Sequence, residues 1–230
     1  MHIRPVVACL LAAAMVASPA AAAVRGFPVG GFDRVRSDVP FDVRVRTGTA
    51  PSVRAAGPQD RLDRLEIVVR GGELVIGMRR GGWRWGRGEP VVIDVTAPAL
   101  VGAVLRGPGN LAVDRVRAPR FTASLSGPGN LSVGRLGAGH VDLDVSGPGD
   151  IAVAGRAGSA RMIVSGPGNI RAGRLALDTI DATVSGPGDI DAAAARFARV
   201  TVSGPGDVRI AGRPRCEVRK TGPGSVRCGG

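Results

Sequence analysis

The chain has 230 residues, with 31 Lys and Arg against 19 Asp and Glu, and its formal net charge is +12. Only 3% of the residues are aromatic and Tyr is absent, which argues against a carbohydrate cleft lined with stacking platforms. The charge can attract anionic surfaces such as lipopolysaccharide or acidic polysaccharide. The alternative interpretation of this charge is that the arginines are simply solvated on the outer faces of the strands. We expect no nucleic-acid partner.

The first segment, residues 1–23, has the pattern of a secretory signal peptide. Arg4 supplies the positive charge, residues 6–16 form a short apolar stretch, and Ala21-Ala22-Ala23 is typical of a cleavage site. No other stretch approaches the roughly 20 apolar residues that a transmembrane helix needs. The segment therefore predicts export, to the periplasm or to the cell surface, without a transmembrane span.

The next segment, residues 24–100, is rich in predicted strands but lacks a clear repeat. Residues 41–45 and 65–69 alternate between apolar and polar, and Gly71-Gly72 is typical of a hairpin turn. We interpret this segment as degenerate coils with an N-terminal cap, because a bare solenoid end presents an unpaired strand edge. Together with the repeats that follow, it is expected to form one domain over residues 24–230.

A Gly- and Arg-rich loop inside this segment contains Trp83, Arg84 and Trp85. An exposed aromatic pair beside an arginine is a patch that can anchor a protein, a glycan or a lipid headgroup, so these three residues are candidate partner-binding residues. The alternative is that both Trp side chains fold back as a lid on the N-terminal coils.

The third segment, residues 101–228, repeats one phrase seven times. Gly-Pro-Gly begins at successive positions that lie 18 to 20 residues apart: Gly107, Gly127, Gly147, Gly166, Gly186, Gly204 and Gly222. A fixed period of this length is typical of a solenoid, and the units are too short and too poor in helix formers for helical repeats.

The strands before each phrase alternate with period 2, as in Val141, Leu143 and Val145, which are separated by Asp142 and Asp144. Such alternation predicts strands with one buried face. A second strand follows each phrase and a third, weaker one comes later. Three strands in each coil of about 20 residues predict an all-β fold, a right-handed parallel β-helix.

Local turn chemistry predicts a type II turn at each phrase, since Pro fixes φ and the following Gly accepts a positive φ. The next residue is an Asn or Asp in six units, and its side-chain oxygen is expected to cap free backbone N–H groups. These candidate turn-capping residues form a ladder: Asn110, Asn130, Asp150, Asn169, Asp189 and Asp207. A calcium site is the alternative, but one side-chain oxygen from each coil falls short of six to eight ligands.

The last unit carries two cysteines at positions that are apolar in earlier units. Cys216 falls where Val141 and Ile180 fall, and Cys228 falls where Val133 falls. In an oxidising compartment these two inward positions predict a disulfide that closes the final coil. A redox pair or a metal site is disfavoured, because there is no Cys-x-x-Cys spacing and no nearby His.

Sequence motifs for catalysis are missing. The chain beyond the signal segment has one His, His140, and contains no nucleophile elbow, no Walker loop and no His-Glu-x-x-His motif. We interpret His140 as a surface residue beside a turn. The sequence predicts that the protein is not an enzyme and uses no cofactor and no metal.

The repeats resemble the head GIN domain family of auto-transporter adhesins. The resemblance rests on the Ser-Gly-Pro-Gly-Asn/Asp units, the Phe-Asp-Val strand at Phe41 and the run of residues 91–100, and it covers most of residues 32–226. It implies a secreted β-helical domain and transfers no catalytic residues.

These observations predict a non-enzymatic, exported binding or structural module of the cell envelope, with an adhesin-like role. Two alternatives remain open. One is a periplasmic binder of anionic glycan or lipid, and the other is a polysaccharide-active β-helix enzyme, which a cleft lined by two or more carboxylates would favour.

Overall fold

The computed structural model describes residues 23–79 and 90–229. In these residues seventeen strands join one continuous sheet. The predicted parallel β-helix is confirmed, since the chain winds into a β-solenoid of about six coils. No helix in these two stretches is long and apolar enough to cross a membrane.

The regular coils are formed by ten strands, and each coil pairs with the next one in parallel register. They are β8 (Gly102–Leu105), β9 (Leu111–Val113), β10 (Val116–Leu125), β11 (Leu131–Val145), β12 (Ile151–Val164), β13 (Ile170–Val184), β14 (Ile190–Val202), β15 (Val208–Ala211), β16 (Arg215–Lys220) and β17 (Val226–Cys228).

Each coil has two well-aligned walls that meet at the Gly-Pro-Gly corner. The leading wall is the set of strand segments directly before each corner: 102–105, 121–125, 141–145, 160–164, 180–184, 198–202 and 216–220. The trailing wall is the set of segments directly after it: 111–113, 131–133, 151–153, 170–172, 190–192, 208–210 and 226–228.

The core lies inside the coils and is built from the alternating apolar positions of these walls. Phe121, Leu125, Leu131 and Leu143 are at most 1% exposed. Their neighbours along each strand point outward, so the period of 2 in the sequence divides each wall into a buried face and a solvent face. Stacking the coils joins the inward residues into one hydrophobic cluster.

The corners differ from the predicted type II turns. None of the Gly residues that follow Pro in the seven phrases has a positive φ, so that prediction was wrong. Glycine is required there because the backbones of successive coils touch: a Cβ on Gly149 would overlap the carbonyl oxygen of Gly129. The Gly149 N–H donates to the Gly127 carbonyl at 3.3 Å. Pro148, between Gly147 and Gly149, is exposed to solvent, and its ring fixes φ at this corner.

The N-terminal part combines parallel stacking with antiparallel pairing. Its elements are β1 (Ala23–Phe27), β2 (Arg34–Ser37), β3 (Asp42–Thr47), β4 (Ser52–Gly57), α1 (Gln59–Leu62), β5 (Leu65–Arg70), β6 (Glu73–Met78) and β7 (Val92–Ala97). The parallel stack continues from β8 through β2 to β6, and from β9 through β3 to β7.

Antiparallel partners then end this stack. Strand β5 pairs with β6 through a two-residue hairpin at Gly71 and Gly72, whose φ values of 55° and 78° suit a tight hairpin turn. Strand β4 pairs with β7, and β1 pairs with β4. Strands that reverse direction cannot start another parallel coil, so they cover the end of the solenoid.

Candidate functional site

The Asn and Asp residues after the corners form a ladder of hydrogen bonds along the solenoid, which is interrupted between Asn130 and Asp150. A side-chain oxygen of one coil accepts the backbone N–H of the equivalent residue in the next coil. These bonds join Asn130 N to Asn110 Oδ1 (3.2 Å), Asn169 N to Asp150 Oδ1 (3.0 Å), Asp189 N to Asn169 Oδ1 (2.9 Å), Asp207 N to Asp189 Oδ1 (2.7 Å) and Ser225 N to Asp207 Oδ1 (2.7 Å). The side chains therefore satisfy backbone donors of the neighbouring coil.

The ladder begins at Asp42, which the sequence analysis did not include. The Asn110 side-chain amide donates to Asp42 Oδ1 at 2.8 Å, and Val43 pairs in register with Leu111. Asp42 directly precedes Val43, just as Asn110 directly precedes its partner Leu111, and this shared position was the available signal. In residues 23–79 and 90–229 no group of three His, Cys, Asp or Glu side chains is arranged to hold a metal ion.

The last carboxylate of the ladder, Asp207, has a perturbed pKa. The Ser225 backbone N–H, followed by the Ser225 hydroxyl, holds the pKa of Asp207 below its ordinary value of 3.8, and Arg227 and Lys220 act in the same direction. The pKa is lower in the folded than in the unfolded chain, so ionised Asp207 stabilises the fold above pH ~4. That stabilisation is lost as the pH falls through the folded pKa.

We expect Ser225→Ala to raise the pKa of Asp207 without restoring its ordinary value. The variant removes the hydroxyl bond and keeps the backbone N–H bond, which is the larger cause. The side-chain carboxyl signal of Asp207, followed by NMR titration from about pH 2 to pH 6, measures this shift. Asp207→Asn assigns the signal by its disappearance. An Asp207 pKa that is unchanged in Ser225→Ala contradicts the role of the hydroxyl.

A disulfide joins Cys216 and Cys228. Cys216 lies on the leading wall opposite Ala198, and Cys228 lies on the trailing wall opposite Ile210. The bond therefore ties together the two walls of the last coil, whose Val218 is 46% exposed because no further coil covers it in the described chain. The other predicted site residues, Trp83, Arg84 and Trp85, lie outside the described residues, between β6 and β7.

His140 is more constrained than a free surface residue. Its Nδ1 atom lies 2.7 Å from Ser159 Oγ, one coil further along, and its Nε2 atom lies 3.1 Å from Asp142 Oδ1. Sequence reasoning missed this cluster, although His140 and Asp142 are two residues apart and therefore share a strand face. Neither His140 nor Ser159 lines any of three depressions in the described surface, which lie beside Ser132, Gly102 and Ala157. We interpret the cluster as a polar link between coils.

Charges on the outer face of the leading wall alternate from coil to coil. The column runs Asp142, Arg161, Asp181, Arg199, Glu217 in register. Arg199 Nη2 contacts Glu217 Oε2 at 3.2 Å. Each arginine of this column stands between two carboxylate-bearing strands, so the wall offers little net charge to a ligand.

The trailing wall carries a different surface, which we name the arginine groove. This depression of about 500 Å³ has a floor of small residues, among them Ala112, Ser132 and Ala152. Arg44 and Arg46 line it on the N-terminal side and Arg174 lines it on the C-terminal side. All three arginines are exposed, and among the described residues none of them forms an ion pair.

None of the three depressions resembles the active site of a carboxylate-dependent hydrolase. The arginine groove contains one carboxylate, Asp114, whose Oδ1 accepts the backbone N–H of Thr47 at 3.1 Å. The only carboxylate that lines the second depression is Glu73, and the only one that lines the third is Asp178. General acid and base catalysis by a carboxylate pair needs two such groups at one site.

Comparison with known proteins identifies the family. The family described as "Putative auto-transporter adhesin, head GIN domain" matches residues 31–214. The chain belongs to the head GIN domain family. The match includes the corners from Gly107 to Gly204 and the N-terminal strands from β2 onward, so the family resemblance predicted from the sequence is confirmed. No functionally curated protein matches the chain.

Solved structures show the same architecture. A putative adhesin from Bacteroides fragilis has a TM-score of 0.85 at 22% identity, with 90% of this chain and 97% of that chain covered. A putative lipid binding protein from Parabacteroides distasonis has a TM-score of 0.70 at 18% identity, covering 90% and 96%. A putative adhesin from Parabacteroides merdae has a TM-score of 0.72 at 16% identity, covering 90% and 95%. At these identities the likeness establishes the fold alone.

Proposed function

We propose that this head GIN domain is an exported, non-enzymatic binding module of the cell envelope with an adhesin-like role. The observation that carries the proposal is the solenoid itself. It is a stack of coils whose corners touch through their backbones and are joined at most steps by side-chain hydrogen bonds, and it presents its outer strand faces to solvent. Such rigid extended surfaces are the binding surfaces of repeat proteins.

The proposed export rests on two features of the chain. Residues 1–23 have the pattern of a signal peptide, and the Cys216–Cys228 disulfide is a bond that persists in oxidising compartments. We further propose that residues 24–230 act as one domain, in which residues 24–100 cap the regular coils.

A second candidate function is binding of an anionic glycan or lipid. The arginine groove favours it, because its cations have no carboxylate partners in the described chain. The Parabacteroides distasonis neighbour described as a lipid binding protein is consistent with this class of ligand. A polysaccharide-active enzyme is disfavoured, since each of the three depressions contains a single carboxylate.

Protease shaving of intact cells, combined with fractionation and an antibody to residues 24–230, tests the proposed function. We expect the protein to be cut on intact cells or to be found in the medium. Release only with the soluble periplasm overturns an adhesive role and leaves the glycan or lipid binder. Retention in the cytoplasm overturns both, because each requires export. A periplasmic protein analysed in the same samples shows that the cells stayed intact.

A further inference from the structure

The arginine groove extends along the solenoid axis. Arg44 pairs in register with Ala112, which continues through Ser132 to Ala152 in the following strands. The next strand, β13, carries Arg174 opposite Ala154. Four steps between strands separate β3 from β13, which is about 19 Å at the spacing of a β-sheet. The groove is therefore a trough with cations at both ends.

The charges of the groove have no counterpart on its floor. On the leading wall the outward arginines alternate with Asp142, Asp181 and Glu217 in adjacent strands. On the trailing wall the strands between Arg44 and Arg174 present Ala and Ser instead, and Asp94, in register with Arg44 on β7, lies on the side of β3 away from this floor. Asp114, the one carboxylate of the lining, already accepts backbone N–H bonds from Thr47 and Arg115. Three guanidinium groups thus face solvent against one hydrogen-bonded carboxylate.

The shape of the arginine groove and the residues around it indicate which class of anion it can bind. A ligand that neutralises both ends must be extended and must carry repeated negative charges, since the small floor residues let a chain lie close to the sheet. A phospholipid would also need apolar surface for its acyl chains, but the exposed large hydrophobic residues of the described chain, Val24 and Val218, do not line the groove. Arginine is suited to carboxylates because its planar fork donates two parallel hydrogen bonds.

We propose that the arginine groove binds an acidic polysaccharide along the solenoid axis, with Arg44 and Arg46 holding carboxylates at one end and Arg174 at the other. This inference rests on the proposed binding function and names the site and the ligand class. Because recognition is ionic and exposed, binding weakens as the ionic strength rises.

Binding of the purified full chain to polygalacturonate tests the proposal. Neutral dextran and vesicles containing phosphatidylglycerol are the comparison ligands, and each is measured at low and at high salt. The test variant replaces the three groove arginines: Arg44→Gln, Arg46→Gln and Arg174→Gln. The matched control removes the same charge away from the groove, at two positions on the outer face of the leading wall and at the residue directly before its last segment: Arg161→Gln, Arg219→Gln and Arg215→Gln. All six side chains are exposed, so both variants are expected to fold.

We expect the groove variant to bind polygalacturonate at least about tenfold more weakly than the unmodified chain, and the control variant to lose about twofold. Equal losses in the two variants overturn the proposal, because net charge alone then explains binding. Tighter binding to the vesicles that also depends on the groove arginines overturns it in favour of a phosphate headgroup. No binding to polygalacturonate overturns it too, while a chain still cut on intact cells leaves the proposed surface role standing.

Discussion

Gly149→Ala is expected to destabilise the protein by more than about 3 kcal/mol. The added Cβ overlaps the Gly129 carbonyl oxygen and approaches the Gly127 carbonyl oxygen to 3.0 Å. Both oxygens belong to the backbone of the preceding coil, which is held by hydrogen bonds and cannot move aside like a flexible side chain. The coils must therefore separate at this corner, and the midpoint of urea unfolding should fall accordingly.

Gly137→Ala is the matched control for this prediction. Gly137 also lies in a coil strand and also has no positive φ, but its Cβ would meet only the Val116 carbonyl oxygen at an ordinary 3.7 Å. We expect a change within about 1 kcal/mol, because Ala also reduces the entropy of the unfolded chain. Similar losses of stability in the two variants would show that strand propensity, and not contact between corners, governs the glycine requirement.

Removal of the disulfide, by Cys216→Ala together with Cys228→Ala, is expected to loosen the last coil by about 3 kcal/mol. The two cysteines are 12 residues apart, so the bond closes a short loop whose reopening restores the chain entropy of that segment. Backbone N–H groups that bind the preceding coil from this segment report the change: Thr221, Gly224 and Gly229. Their hydrogen exchange should accelerate by about 100-fold.

Amides in the middle of the solenoid provide the internal control for the disulfide prediction. Ser165 donates to Val145 and Ile170 donates to Asp189, several coils from the cysteines. Each coil contacts mainly its neighbours, so these two amides should keep their protection. Acceleration at Ser165 and Ile170 equal to that at Thr221 would mean that the disulfide stabilises the whole stack and not its last coil.

The sequence predicted the coils because their signals are local and repeated. The period of Gly-Pro-Gly placed the corners, and alternation such as Val141, Leu143 and Val145 assigned the buried face. The same alignment placed Cys216 and Cys228 on facing walls, and the disulfide between them is confirmed. The division into a signal peptide at 1–23 and one domain at 24–230 stays a prediction.

The error at the corners has a physical cause. The turn prediction used only four consecutive residues. Within such a window, Pro followed by Gly favours a positive φ at the Gly. The requirement at Gly149 comes instead from Gly129, twenty residues earlier, through the contact of stacked backbones. Local patterns also failed to predict the start of the ladder. Asp42 follows no Gly-Pro-Gly phrase, and it contacts Asn110 only because β3 stacks on β9.

The candidate site could not be predicted for a similar reason. Arg44, Arg46 and Arg174 belong to strands far apart in the chain, and they line one groove only because β3 and β13 are separated by three intervening strands of the trailing wall. The pairing of β3 with β9 determines this arrangement, and residues 24–100 contain no repeat from which that pairing could be predicted. Composition alone revealed the excess of arginine but not its position.

The stacking of coils also determines how the molecule responds to tension. Hydrogen bonds between coils run along the solenoid axis. A pulling force on the two ends of the chain therefore breaks the bonds of the outermost coil before those of the next one. Each coil that detaches releases 18 to 20 residues, or roughly 65 Å of extended chain, which dissipates work in discrete steps. At the C-terminal end the Cys216–Cys228 bond keeps its 12-residue loop out of that extension, so the coil at this end releases a shorter length than the others.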